Sequence, residues 1–155
     1  MYHRRVPTAQ AVANAIIRMA KAEGRTLTNM QVQKHVFLAH GYCLAILDRP
    51  LYSQDTHAWQ WGPVVPKLYK ALQKYGSGNV TDEIQAEDVL DEDTPEYKIL
   101  KGVWAVYKSY SGMRLSELTH RENTPWSRTW NEKHFDIIPL NVIRDYYTEL
   151  VAARK

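Results

Sequence analysis

Val36-Phe37-Leu38-Ala39-His40-Gly41-Tyr42-Cys43-Leu44-Ala45-Ile46-Leu47 is the stretch whose reading decides the fold. Only His40 and Gly41 interrupt its apolar run. A surface helix shows a polar face once per turn of about 3.6 residues. This one lacks such a face, so other helices should cover it on all sides. Its start is polar (Asn29, Gln31, Gln33, Lys34), and the run falls short of the roughly 20 apolar residues that cross a bilayer. Thr28 with Gln31 reads as a capping box that opens the helix. Asp48-Arg49-Pro50 closes it, because proline disfavours helix in the residue before it. Gly41 costs about 1 kcal/mol against alanine inside a helix, so it should serve the close approach of a neighbour.

The totals are those of a globular chain of one-domain size: 155 residues, 45% apolar and 24% charged. The single Cys43 allows no internal disulfide or cysteine-based metal cluster, and in so apolar a run it reads as a small buried hydrophobe. Met1 to Ala20 has no continuous apolar core of a signal peptide. A reducing, cytoplasmic setting fits. The net charge of +3 hides an asymmetry. Eight of the 17 acidic residues fall between Asp82 and Glu96, where no lysine or arginine occurs; elsewhere 20 basic residues face 9 acidic ones. A basic body with one acidic strip suits an acidic partner, protein or nucleic acid.

Working outward from the central helix, residues 1–7 read as a loose basic arm. Thr8 caps a first helix with the stripe Val12, Ile16, Ile17 and Ala20, and Gly24 follows its end. Leu51 to Trp61 reads as a short irregular hairpin, with a turn at Gly62-Pro63. Pro66 opens a helix to Tyr75; Leu68, Leu72 and Tyr75 face inward, and Lys67, Lys70 and Lys74 share the other side. The acidic segment 79–93 is expected to be the most mobile region, pinned at Ile84, Val89 and Leu90. Thr94 caps a helix that buries Ile99, Leu100, Val103, Trp104, Tyr107 and Tyr110 and ends at Gly112. A short helix follows from Met113 to about His120, and Thr124 caps a turn with Pro125 at its first position, running to Trp130. A last helix, about Leu140 to Ala152, faces inward with Ile143, Tyr146, Tyr147 and Leu150. The expectation is a mainly α, single-domain bundle over residues 1–155 around the central helix 29–47, with a small β-hairpin near 51–61.

Catalytic and metal chemistry find little footing. The six histidines show no ligand spacing. Gly76-Ser77-Gly78 lacks the lysine of a phosphate loop, and no nucleophile elbow occurs. An acid–base pair of His120 and Glu122 is the weakest of the readings. The lysine stripe and the aromatics Trp59, Trp61, Tyr69, Trp126 and Trp130 fit a binding surface better, since Trp and Tyr anchor protein interfaces. No helix-turn-helix signature supports specific DNA reading.

Ala58-Trp59-Gln60-Trp61-Gly62-Pro63-Val64-Val65-Pro66-Lys67-Leu68-Tyr69 resembles the AW-x-x-GPV-x-P-x-LY signature of the Panacea domain. Leu115-Ser116-Glu117-Leu118-Thr119-His120 with Glu122 and Pro125-Trp126 is similar to its second signature. Gln33-Lys34 before the apolar helix, and Pro50-Leu51-Tyr52 after it, make a weaker third match. That family comprises SocA-like antitoxins and phage-associated proteins. The resemblance implies a helical, non-enzymatic domain without cofactor, metal or membrane. It implies that the domain binds a cognate toxin or host protein, in one branch handing it to a Clp-type protease. The alternative is a phage or mobile-element regulator that binds a host protein or nucleic acid. Trp59, Trp61, Lys67, Tyr69, Lys70, Lys74, His120 and Trp126 are the candidate contact residues. Gly62, Pro63, Pro66, Thr119, Glu122 and Pro125 read as structural members of the motif.

Overall fold

The computed structural model describes residues 5–153. The central helix, α2 (Asn29–Leu47), begins at Thr28, whose hydroxyl accepts from Gln31 N while the Gln31 side chain accepts from Thr28 N. It ends at Asp48 in a left-handed conformation. Four helices surround it: α1 (Ala9–Ala22), α4 (Pro95–Tyr107), α5 (Gly112–His120) and α7 (Leu140–Ala153). From Val32 to Leu44 every residue of α2 is buried, as its missing polar face requires. A Cβ on Gly41 would collide with the ring of Tyr147 from α7, which is the close approach expected there. Cys43 is buried, and burial pushes its thiol up to about 12.

The polar start of α2 is buried as well. Asn29, Gln33, Lys34 and His35 are all buried. Burial holds the His35 imidazole down at about 4 and that of His40 at about 3. His40 accepts from Leu51 N through Nδ1 (3.1 Å) and stacks on Tyr52 at 3.8 Å.

Four of the other helices start where side-chain oxygens cap them, at Thr8, Thr94, Ser111 and Thr124. The Ser111 cap places Gly112 at the start of α5, whereas α4 already stops at Tyr107. Proline fills the first position of α3 (Pro66–Leu72), which runs on as one tight turn over Gln73–Tyr75. It does the same in α4 and in α6 (Pro125–Glu132).

Two small antiparallel sheets complete the chain. β1 (Leu27–Thr28) pairs with β4 (Asn79–Val80). The hairpin pairs β2 (His57–Trp59) with β3 (Gly62–Val64) through Gln60-Trp61. It therefore sits later in the chain than the pattern at 51–61 suggests. Gly62, at φ +122°, completes the turn, and Pro63 lies in a strand rather than a turn. Leu51 and Tyr52 are buried outside any strand, against His40. Residues 135–138 run along the outer edge of β2. Phe135 N donates to Ala58 O, Ala58 N to Asp136 O and Ile138 N to Thr56 O, at 2.8–2.9 Å.

The acidic segment 79–93, expected to be mobile, is docked along α1. The Asn14 amide bonds both Ile84 N and Ile84 O at 2.8 Å. Asp88 accepts from Thr8 N (2.8 Å) and Thr8 Oγ1 (2.7 Å), and Glu83 meets Arg18 at 2.9 Å. Ile84 and Leu90 are the buried pins, while Val89 points to solvent. The charge pattern hid this, because one buried asparagine on α1 supplies the anchor. Of the expected basic arm, residues 1–4 lie outside the described residues. Arg5 and Val6 are exposed, and Pro7 O accepts from Ser53 N. No helix among the described residues is long and apolar enough to cross a membrane.

Candidate functional site: a clamped hairpin beside a basic helix

Three helices each send one side-chain donor to the hairpin, onto carbonyls two residues apart. From α2, Lys34 Nζ donates to Pro63 O at 2.9 Å. From α5, Ser116 Oγ donates to Trp61 O at 2.6 Å. From α6, Trp126 Nε1 donates to Trp59 O. Gln33 Oε1 adds a longer bond from Val65 N, at 3.4 Å. A two-stranded hairpin is marginal alone; these clamps and the 135–138 edge fix its position.

Lys34 is the unusual member. It is fully buried and has no ion pair among the described residues. Burial pulls its amine down to about 7. Gly62 makes room for it: a Cβ there would lie 3.0 Å from Lys34 Nζ and 3.5 Å from Thr119 Oγ1. Thr119 turns its hydroxyl back onto Leu115 O (2.9 Å) and Ser116 O (3.1 Å). His120 is half-buried, with Nδ1 held against Ser116 O and its ring edge-on to Trp126 at 5.2 Å. Glu122 is exposed in the following loop, and Pro125 is the buried first residue of α6.

The candidate contact residues divide in two. Trp61, 63% exposed, stands on the hairpin turn. Beside it Trp59 and Tyr69 meet edge to face at 5.2 Å, which joins the hairpin to α3. Lys67, Lys70 and Lys74 are exposed along α3 and its last turn, past Pro66. The lysines point away from the buried Leu68 and Leu72, and Tyr69 is the α3 residue that meets the hairpin. Trp126, by contrast, is 8% exposed and belongs to the clamp beneath the hairpin. His120 likewise packs in the clamp. Trp126 stacks on Trp130, which carries His134 on its ring at 3.8 Å and Phe135 against its edge.

Sequence reasoning did not select Lys34, Ser116 or Phe135 as site residues. The first two lie inside motif stretches, and a lysine next to an apolar run was the available signal. Phe135, 57% exposed at φ +66°, is a strained position for a bulky side chain that no pattern announces. Among the described residues no group of three or more His, Cys, Asp and Glu converges as a metal site.

The family described as "Antitoxin SocA-like, Panacea domain" matches residues 32–127. The chain belongs to this Panacea family. The match runs from the buried start of α2 to α6, so it contains all three clamp donors and the hairpin they hold. This Panacea chain is also 28% identical to antitoxin SocA of Caulobacter vibrioides, over 76% of its own length and 68% of the relative's. No solved structure matches it. Of the signature residues, Gly62 and Pro63 belong to the hairpin, Ser116 and Trp126 bond it, and Thr119 bonds back within α5.

Proposed function

We propose that this Panacea-domain protein is a cytoplasmic antitoxin that neutralises a toxin by direct protein contact and makes or breaks no bond. Family membership and the likeness to an antitoxin support the reading. The observation that carries it onto particular residues is the exposed Trp61 on a hairpin clamped from three helices. A binder gains most from a large aromatic held rigidly before the partner arrives. His120 fits this reading better than catalysis, because its Nδ1 is engaged within its own helix and Glu122 lies out in the loop.

Expression of the gene product encoded beside this chain should arrest growth, and co-expression of this chain should restore it. A neighbouring product that is harmless alone would remove the reading. A Clp-type protease partner is a finer step with its own readout. An adaptor shortens the toxin's half-life in cells, whereas a simple inhibitor leaves it unchanged.

A further inference from the structure

We infer that Phe135 is a contact residue for the partner protein, held on a bulge where the fold by itself calls for glycine. That the partner is a protein rests on the antitoxin reading; the choice of Phe135 rests on its backbone and its exposure. Ala58 takes two residues of the 135–138 edge in place of one. Its carbonyl accepts from Phe135 N and its amide donates to Asp136 O, both at 2.9 Å. With Phe135 at φ +66°, this is the β-bulge whose first residue is ordinarily a glycine in the left-handed region. A bulky side chain is disfavoured there. The fold gives little back. The ring is 57% exposed, and its ring contact among the described residues is edge-on to Trp130 at 5.3 Å. The bonds around it hold backbone, not ring: His57 Nδ1 lies 3.2 Å from Phe135 O, and Asp136 Oδ1 accepts from Ile137 N at 2.8 Å. Local strain of this kind persists where binding uses it.

The occupant follows from what Phe135 adjoins. It lies opposite Ala58, two residues before the turn Gln60-Trp61, so it enters the sheet at the end that displays Trp61. A run of contacts joins the two beneath the surface. Trp126 donates to Trp59 O and stacks on Trp130, and Trp130 meets Phe135. Phe135 therefore continues the Trp61 contact along the outer edge of the sheet, and the occupant is the same protein, offering an apolar pocket to the ring. Ile137 and Leu140 are exposed as well, which makes three exposed large apolar side chains within residues 135–140. The one charge in that segment is Asp136, so it offers the phosphates of a nucleic acid no cation.

The test uses the full chain and the product of the neighbouring gene. Phe135→Gly removes the ring and the strain together, so it should melt no lower than the unsubstituted protein and about 3 °C above Phe135→Ala. Both variants should bind the neighbouring product about tenfold more weakly in surface plasmon resonance. Val89→Ala trims another exposed apolar side chain, on the acidic segment, and should change neither readout. A Phe135→Gly protein that melts well below the unsubstituted one would assign the ring to packing on Trp130 and overturn the inference. Unchanged affinity in both variants would overturn it as well, while leaving the antitoxin in place. No complex with the unsubstituted protein removes the antitoxin reading, and the inference falls with it.

Discussion

The two halves of α2 both reach into the core and are differently held. From Val36 to Leu44 the helix is enclosed by apolar side chains and by rings of α7 and α4. From Asn29 to His35 it buries an amide pair, an amine and an imidazole, several of them with unmet bonding capacity: Asn29 Oδ1, Gln33 Nε2 and both His35 nitrogens have no partner among the described residues. The first half obtains stability from area removed from water. The second loses stability to desolvation and gains position, since Lys34 and Gln33 are the groups that reach the hairpin. The apolar half sets how firmly the bundle folds; the polar half sets where the hairpin stands.

The largest expected break falls in the apolar half. Phe37 is 2% exposed and edge-on to Tyr147. Phe37→Ala should cost about 3–5 kcal/mol in chemical denaturation. A cost near zero would mean that α2 is not the enclosed axis of the bundle.

The polar half should instead register in the pH dependence of stability. Lys34 has a folded value of about 7 against an ordinary 10.5, so the unfolded chain holds more protons between those limits. Stability then rises with pH through that window, by up to about 1.4 kcal/mol per pH unit, and levels off below it. The slope is best read between pH 7 and about 9, before tyrosines titrate. Lys34→Met should flatten it. His35 and His40 act at lower pH with the same sign. Their folded values of about 4 and about 3 lie below 6.5, so stability falls as pH drops from 6.5 towards 4 and 3. A wild-type curve without slope above pH 7 would place the Lys34 amine in contact with solvent.

A smaller effect is expected where the acidic segment meets α1. Asn14→Ala should cost about 1–3 kcal/mol, because it strips the buried Ile84 backbone of both partners. It should also open residues 79–93 to limited proteolysis, which the unsubstituted segment should resist. Early cleavage there in the unsubstituted protein would restore the mobility that its charge suggested.

The central helix, its capping box, the proline starts and the inward stripes were legible because each follows a local rule of period or cap chemistry. The hairpin register and the docking of the acidic segment were not, because both depend on single buried polar residues far away in the chain. Asn14 reaches Ile84, and Lys34 reaches Pro63. The exposed residues were legible as residue types, Trp61 and three lysines. The inner clamp was not, since a buried lysine looks in sequence like a solvated one. Trp126 carries the same ambiguity: as an aromatic next to a proline it fits an interface, but its indole N–H is committed to Trp59 O.

Trp61→Ala should have the smallest effect on folding and the sharpest on function. Its ring is mostly in solvent and its carbonyl, which Ser116 holds, survives the substitution. Stability should change by no more than about 0.5 kcal/mol, while rescue from the partner toxin should be lost. Ser116→Ala makes the opposite comparison, keeping the ring but removing the bond that fixes the turn. If pre-positioning matters, it should weaken the partner complex partway towards the Trp61→Ala value, mainly by faster dissociation. Dissociation unchanged in Ser116→Ala would mean the clamp serves the fold alone and leaves the indole free to find its own pose.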